Sequence, residues 1–475
     1  MAEILKRKYE LLTLKVSLDT ADRETRVNCD LEGMVEGRFD RIGGWVLSAD
    51  DMGLPDHLEA HRTLYGGYAF RLPERLVEGL RQGVGSVEPS GQPLWIHLVK
   101  PYGYLGMVPW ERFLQSALRI PLLRLPDFLA DPPRETPSVL DVVLCTSLPA
   151  AKESFMVVDR LTEMIPNILA AVPRRTTIHL FTDREWHPSL ERRLKEMDLL
   201  EGPVALHDPP QAAVPYATPE ATLQVRDRLG TIENPWLLWI RDALKGKSID
   251  IAHFICHGFL SRDRGALAFS ETPLRNEDRR MARFVGAAEL TAFLTQTGAW
   301  SVAFSSPENN YSEMGLRQLA DAIAQMRPGP VVHHEITGDS GGAALAGVYR
   351  FLFGPAPQEP PASPALFTYC HPSRVTEKPK ARTLARAAFQ RIVNSAEDVP
   401  SHPLLKTIFQ RDENVPSWIA ASQRFIEQQN LDLLKLSGET GAKAEKAVEG
   451  MRQTLKQIQD VIARAADTSR RGGKP

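Results

Sequence analysis

Residues 248–260 read SIDIAHFICHGFL, and the fold turns on how that run is taken. As a strand it carries Ile249, Ile251 and Ile255 on one face and Ala252, Phe254 and Cys256 on the other, with His253 the one polar interruption. A short run that is apolar on both faces suits a strand buried in a parallel sheet, although periodicity alone leaves a buried helical piece open. The pair His257-Gly258 follows at once. In open α/β sheets, ligands bind outside the carboxyl ends of the strands. His257 is thus a candidate for chemistry, beside a glycine whose backbone can approach a ligand closely.

Two later runs repeat the arrangement. Residues 300–304 (WSVAF) stop at Ser305-Ser306-Pro307, and residues 330–332 (PVV) stop at His333-His334-Glu335. Three such strands lying parallel and adjacent would bring their polar ends to one edge of the sheet.

Working outward, the 475 residues predict two or three domains. The apolar share of 43% and charged share of 24% are those of an ordinary globular chain, and a net charge of −2 gives no electrostatic case for nucleic acid or an anionic membrane. The four cysteines (Cys29, Cys145, Cys256, Cys370) include no C-x-x-C pair. That argues against a zinc site or a disulfide framework and fits a reducing compartment. The opening MAEILKRKYE lacks the apolar core of a secretion signal, and no window reaches 18 apolar residues. The expectation is a cytoplasmic protein with no cofactor and no metal.

Residues 1–90 read as a small β-rich region, with strands at 9–16, 34–40 and 44–47 and a helix at 76–82. Strands at 94–98, 139–145, 176–181 and 204–206 then alternate with helices at 109–114, 154–169, 190–199, 218–228 and 235–244. Helices at 287–295, 313–325 and 341–353 complete the pattern, with 276–283 read as a loop. Alternation of this kind predicts a mostly parallel sheet covered on both faces. From 373 onward the chain reads as helical. Val448, Met451, Leu455, Ile458, Ile462 and Ala465 form a short heptad seam, so 444–465 is a candidate for self-association, and SRRGGKP at the end reads as disordered.

These pieces resemble the CHAT family, a caspase-like domain often found beside TPR repeats. MVPWERF (107–113) resembles the family's LPWE segment, and DIAHFICHG (250–258) resembles its vvHfacHG strand. GPVVHHEITGDSGGAALAGVYRFLFG (329–354) resembles its closing strand and helix. The likeness covers roughly 91–355. It implies a caspase-like α/β sandwich over 91–372, preceded by the β-rich region and followed by the helical one. It also implies a Cys-His dyad in which His257 is the histidine and Gly258 supplies a backbone N–H near the oxyanion. The family's cysteine falls at Ser305, Ser306 or Pro307, and none of these is a cysteine.

A thiol paired with histidine is nucleophilic near neutral pH, whereas a serine needs a placed base, an orienting group and an oxyanion hole. Glu308 and Glu335 stand nearer the strand ends than Asp250 as orienters. Neighbours on a strand point to opposite faces, so Cys256 should not meet His257, and His333-His334 should not chelate a metal. Cys145 and Cys256 read as core thiols, and His253 as a hydrogen-bonded core histidine. The leading expectation is a CHAT-like pseudo-protease that engages a protein or peptide partner in a bacterial conflict or stress system. The alternatives are a peptidase using Ser305, Ser306 or a cysteine from another loop with His257, and an adaptor acting through the C-terminal helices.

Overall fold

The computed structural model describes residues 9–19, 25–35, 38–54, 69–87, 93–99, 105–126, 138–148, 154–200, 202–211, 231–261, 264–274, 282–307, 310–355 and 358–375. The expected helix at 218–228, the helical C-terminal region with its seam at 444–465, and Glu308 lie outside these residues.

The chain opens with an antiparallel meander, β1 (Leu11–Asp19), β2 (Arg26–Val35) and β3 (Arg38–Ser48). RVNCDLEGMV carries the polar–apolar alternation of a half-buried strand, with Val27, Cys29 and Leu31 buried, and the sequence reading, which placed its strand at 34–40, did not take it up. Helix α1 (Glu74–Gly85) covers the meander, and β4 (Leu94–Leu98) then pairs parallel with β1 over five positions. The boundary drawn at residue 90 therefore runs between two hydrogen-bonded strands. Pro109 opens helix α2 (Trp110–Leu118), as its fixed φ favours, and β5 (Leu122–Arg124) joins β4 in parallel.

The α/β alternation follows. β6 (Val139–Ser147), α3 (Ser154–Ala171), β7 (Arg175–Thr182), α4 (His187–Glu196), β8 (Val204–Leu206) and α5 (Pro235–Ala243) come in turn. Asn234 caps α5 by accepting the Trp236 N–H, with Pro235 in the first turn. The run that opened the analysis is β9 (Ile251–Ser261), followed by β10 (Arg264–Ser270) and β11 (Ala282–Val285). The last of these overlaps the end of the stretch read as a loop. Then come α6 (Ala287–Gln296), β12 (Ser301–Ser306), α7 (Asn310–Met326), β13 (Val331–Glu335), α8 (Ala343–Phe353) and β14 (Leu366–Tyr369), the last unforeseen.

Among the described residues these make an α/β fold of fourteen strands and eight helices with one large, mostly parallel mixed sheet. Twelve strands run in the order β3-β2-β1-β4-β5-β14-β13-β12-β9-β6-β7-β8. The three runs singled out from sequence are indeed adjacent and parallel, as β9, β12 and β13. β10 and β11 extend the far end of β9 as an antiparallel ribbon. His257 and Gly258 therefore lie inside β9 rather than just past its end.

Both faces are covered by helices. Leu144, Ile255, Ala303 and Val332 pack with residues of α3, α4 and α8 on one side. Cys145, Phe254, Phe304 and Val331 pack with residues of α5, α6 and α7 on the other. A third cluster joins β1, β2 and β4 to α1 and α2. No helix among the described residues is long and apolar enough to cross a membrane.

The two halves of the sheet meet through one strand pair, Arg124 with Tyr369. A buried charge cluster reinforces that seam. Arg124 bonds Glu111 at 2.6 and 3.1 Å, and Arg317 of α7 reaches Glu111 at 2.9 Å and Glu313 at 2.8 Å. Burial opposes the charge on Glu111, yet Arg124 and Arg317 together hold its carboxyl below the usual range.

Candidate functional site

The site is built from the side-chain parity of three parallel strands. His253 on β9, Ser305 on β12 and His334 on β13 all face α3 and α8, because each lies an even number of residues from a residue packed on that side (Ile255, Ala303 and Val332). Register sets Ser305 opposite His334, and His253 two residues before Ser305's own partner Ile255 on β9.

A continuous hydrogen-bonded chain results. Tyr349 Oη of α8 lies 2.9 Å from His253 Nδ1, and His253 Nε2 lies 2.8 Å from Ser305 Oγ. Ser305 Oγ lies 2.9 Å from His334 Nδ1, and His334 Nε2 lies 3.2 Å from Asp339 Oδ2. Asp339 also accepts the N–H groups of Ala344 and Leu345 at the start of α8, at 3.1 and 2.9 Å. Burial works against its charge, but the bonds from His334 and those two N–H groups hold its carboxyl down at about 2. Burial, with His334 nearby, pushes His253 down to about 3, so its ring is neutral.

The polarity of the chain follows. An ionised carboxylate only accepts, so His334 Nε2 donates to Asp339. In a neutral His334 ring Nδ1 then accepts, and Ser305 donates to it. Ser305 in turn accepts from His253 Nε2, which leaves His253 Nδ1 to accept from Tyr349. Ser305 thus has the base and orienter of a Ser-His-Asp constellation, but its side chain is wholly buried, with 0% exposure. His334 and Asp339 line a small open cleft together with Arg160, Glu163 and Asn167 of α3.

Of the candidate site residues named from sequence, Ser305 lies in this chain, and His257, Gly258 and Ser306 fall elsewhere. His257 shares the face of His253 but lies two turns of the pleat further on, opposite Ala268 of β10, and its ring has no hydrogen-bond partner among the described residues. Burial lowers its pKa and keeps it neutral. The histidine expected for the dyad is therefore not bonded to Ser305. Ser306 lies on the opposite face, with Oγ 3.4 Å from His333 Nε2. Gly258 does not present a free N–H, because that group donates to Ser312 Oγ at 2.6 Å. A side chain at Gly258 would also run into the Ser312 carbonyl, which shows how closely α7 rides over β9. Glu335 does not orient His257; it accepts from Arg112 at 2.7 Å, which also bonds Glu313 at 2.9 Å.

All four cysteines are buried. Cys145 and Cys256 sit in the cluster under α5–α7, away from the His257 face, and burial pushes both thiols well above the usual range. Among the described residues no group of three or more His, Cys, Asp or Glu is placed to hold a metal ion.

Sequence reasoning singled out Ser305 and His334 without joining them, and it missed Asp339 and Tyr349. One signal was available for Asp339, which stands four residues before the first residue of α8 in DSGGA, where an acidic side chain can satisfy helix N–H groups. The chain matches no family model, no curated protein and no solved structure.

Proposed function

We propose that this is a CHAT-type protein with a caspase-like sandwich whose peptidase-like centre lacks a nucleophile. It engages a protein or peptide partner without cutting it, as a pseudo-peptidase in a bacterial conflict or stress system. The mostly parallel sheet, the histidine on its central strand and the MVPWERF segment at α2 support that reading. One observation carries the functional part: neither serine near the strand ends is free to face His257. Ser305 is buried and bonded to two imidazoles, and Ser306 lies across the sheet. The occupied Gly258 N–H removes the oxyanion donor expected there.

The test is to treat the folded protein with a fluorophosphonate and with iodoacetamide. The expected result is no adduct on either serine or on any buried cysteine. A stoichiometric adduct on one of them, abolished by His257→Ala or His334→Ala, would overturn the reading.

A second reading is favoured by the Ser305–His334–Asp339 geometry itself: a serine hydrolase with His334 as base and Asp339 as orienter. A fluorophosphonate adduct on Ser305 that depends on His334 and not on His257 would select it.

A further inference from the structure

At the β8 edge of the sheet, away from the chain around Ser305, two imidazoles face one another across neighbouring strands. His179 of β7 and His207, the residue that follows β8, are 28 residues apart in the chain, so no spacing motif announces them. His179 Nδ1 lies 3.1 Å from His207 Nε2. Each ring is held from behind. Lys247 Nζ lies 3.2 Å from His179 Nε2, and Asp141 Oδ1 of β6 lies 2.6 Å from that ammonium and 3.7 Å from the same ring nitrogen. The His207 ring stacks on Phe181 at 4.4 Å between centroids, and Trp239 of α5 meets Phe181 edge-on. The His207 N–H donates to the Leu180 carbonyl, so the strand ladder fixes that backbone too.

We propose that His179 Nδ1 and His207 Nε2 form a two-imidazole site for a divalent transition-metal ion, with copper(II) bound most tightly. Nitrogens about 2.0–2.1 Å from an ion stand roughly 3.3–3.4 Å apart in a tetrahedral site and roughly 2.8–3.0 Å apart as neighbours in a square-planar one. The observed 3.1 Å falls between the two, so a tilt of the rings, with no movement of the strands, brings both lone pairs onto an ion. Imidazole suits copper, nickel and zinc, and copper(II) heads the affinity order of the divalent series. Two protein ligands leave the remaining positions to water. Burial lowers the pKa of both rings, that of His207 to about 4, so protons do not compete for these nitrogens near neutral pH.

Binding moves one proton within the site. An ammonium only donates, so in the metal-free protein Lys247 donates to His179 Nε2, and His179 Nδ1–H donates to His207 Nε2. Coordination needs the Nδ1 lone pair, so the His179 proton passes through solvent to Nε2 and none is released. Nε2–H then turns to Asp141, the carboxylate that metal-bound histidines commonly hold on their other nitrogen. Lys247, whose side chain is exposed, keeps its bond to Asp141 and gives up Nε2. Lys247 thus opposes the metal and Asp141 favours it.

The test is a titration of the chelator-treated protein with copper(II) at pH 7, read by calorimetry and by electron paramagnetic resonance. One equivalent should bind in the micromolar range with two nitrogen ligands. His179→Gln and His207→Gln should each abolish that equivalent. Asp141→Asn should weaken it about tenfold. Lys247→Met should tighten it, an effect that a merely structural lysine would not give. Binding that survives both histidine variants is an adventitious ion only and overturns the proposal, as does an affinity unchanged or weakened in Lys247→Met. Circular dichroism identifies a histidine variant that fails to fold. In that event the resonance spectrum of the unaltered protein decides: two nitrogens at one equivalent support the site, and one nitrogen or none overturns it. The site shares no residue with the peptidase-like centre, so adducts on Ser305 or Ser306 would sink the pseudo-peptidase reading and leave this one standing.

Discussion

Ser305 Oγ lies 2.9 Å from His334 Nδ1, at the middle of a buried chain that links β9, β12, β13 and α8. Replacing Ser305 by Ala would leave His253 Nε2–H and His334 Nδ1 without their shared partner. Each orphaned buried group costs about 1–3 kcal/mol, so Ser305→Ala should lose about 2–4 kcal/mol in urea unfolding. A loss under about 0.5 kcal/mol would show that the relay is not maintained in solution.

Thr146 and Thr182 predict the opposite sign. They are register partners on β6 and β7, both are buried, and neither hydroxyl has a hydrogen-bond partner. Thr146→Val and Thr182→Val each remove an unsatisfied group with little change of shape. Stability should stay level or rise by up to about 1 kcal/mol for each. A clear loss in both would reveal a bound water bridging the two hydroxyls.

The seam between the halves of the sheet rests on a charge pair with almost no exposure, Arg124 with Glu111. Removing one member strands the other. Arg124→Met or Glu111→Gln alone should cost about 3–5 kcal/mol, and the double variant should recover part of that loss. The comparison is a double-mutant cycle by chemical denaturation; additive single losses would contradict the pairing.

Acid should weaken the fold well before carboxylates titrate. Burial lowers the pKa of His253 to about 3 and of His207 to about 4, and it also lowers His179, His257 and His333. Each binds its proton more readily in the unfolded chain, where histidine titrates near about 6.5, so unfolding takes up protons. Stability is therefore full above about pH 6.5 and falls as pH drops through the window toward the folded values. Asp339, held at about 2, contributes stability above the ordinary carboxylate range that is lost only as pH falls toward that value. Melting temperatures at pH 7, 6 and 5 should decline steadily, and His253→Gln should flatten the slope. A flat profile in the unaltered protein would count against neutral buried imidazoles.

The sequence alone determined much of the α/β half. Apolar runs ending in polar residues located β9, β12 and β13, because a strand buried on both faces must be apolar throughout. Proline at 109 and the Asn234-Pro235 pair marked helix starts by local backbone chemistry. It was silent on β14, a four-residue strand with no pattern of its own, and on the pairing that joins β1 to β4.

The site shows the same division. Strand alternation was enough to separate Cys256 from His257. It could not tell which residues of different strands stand level, because register is set by long-range pairing and by the packing of α3, α7 and α8. Only the tertiary structure gave Ser305 to His253 and His334, filled the Gly258 N–H with Ser312, and left His257 facing no partner. Side-chain identity is written in the chain, but which side chains come together across three strands is decided by the sheet.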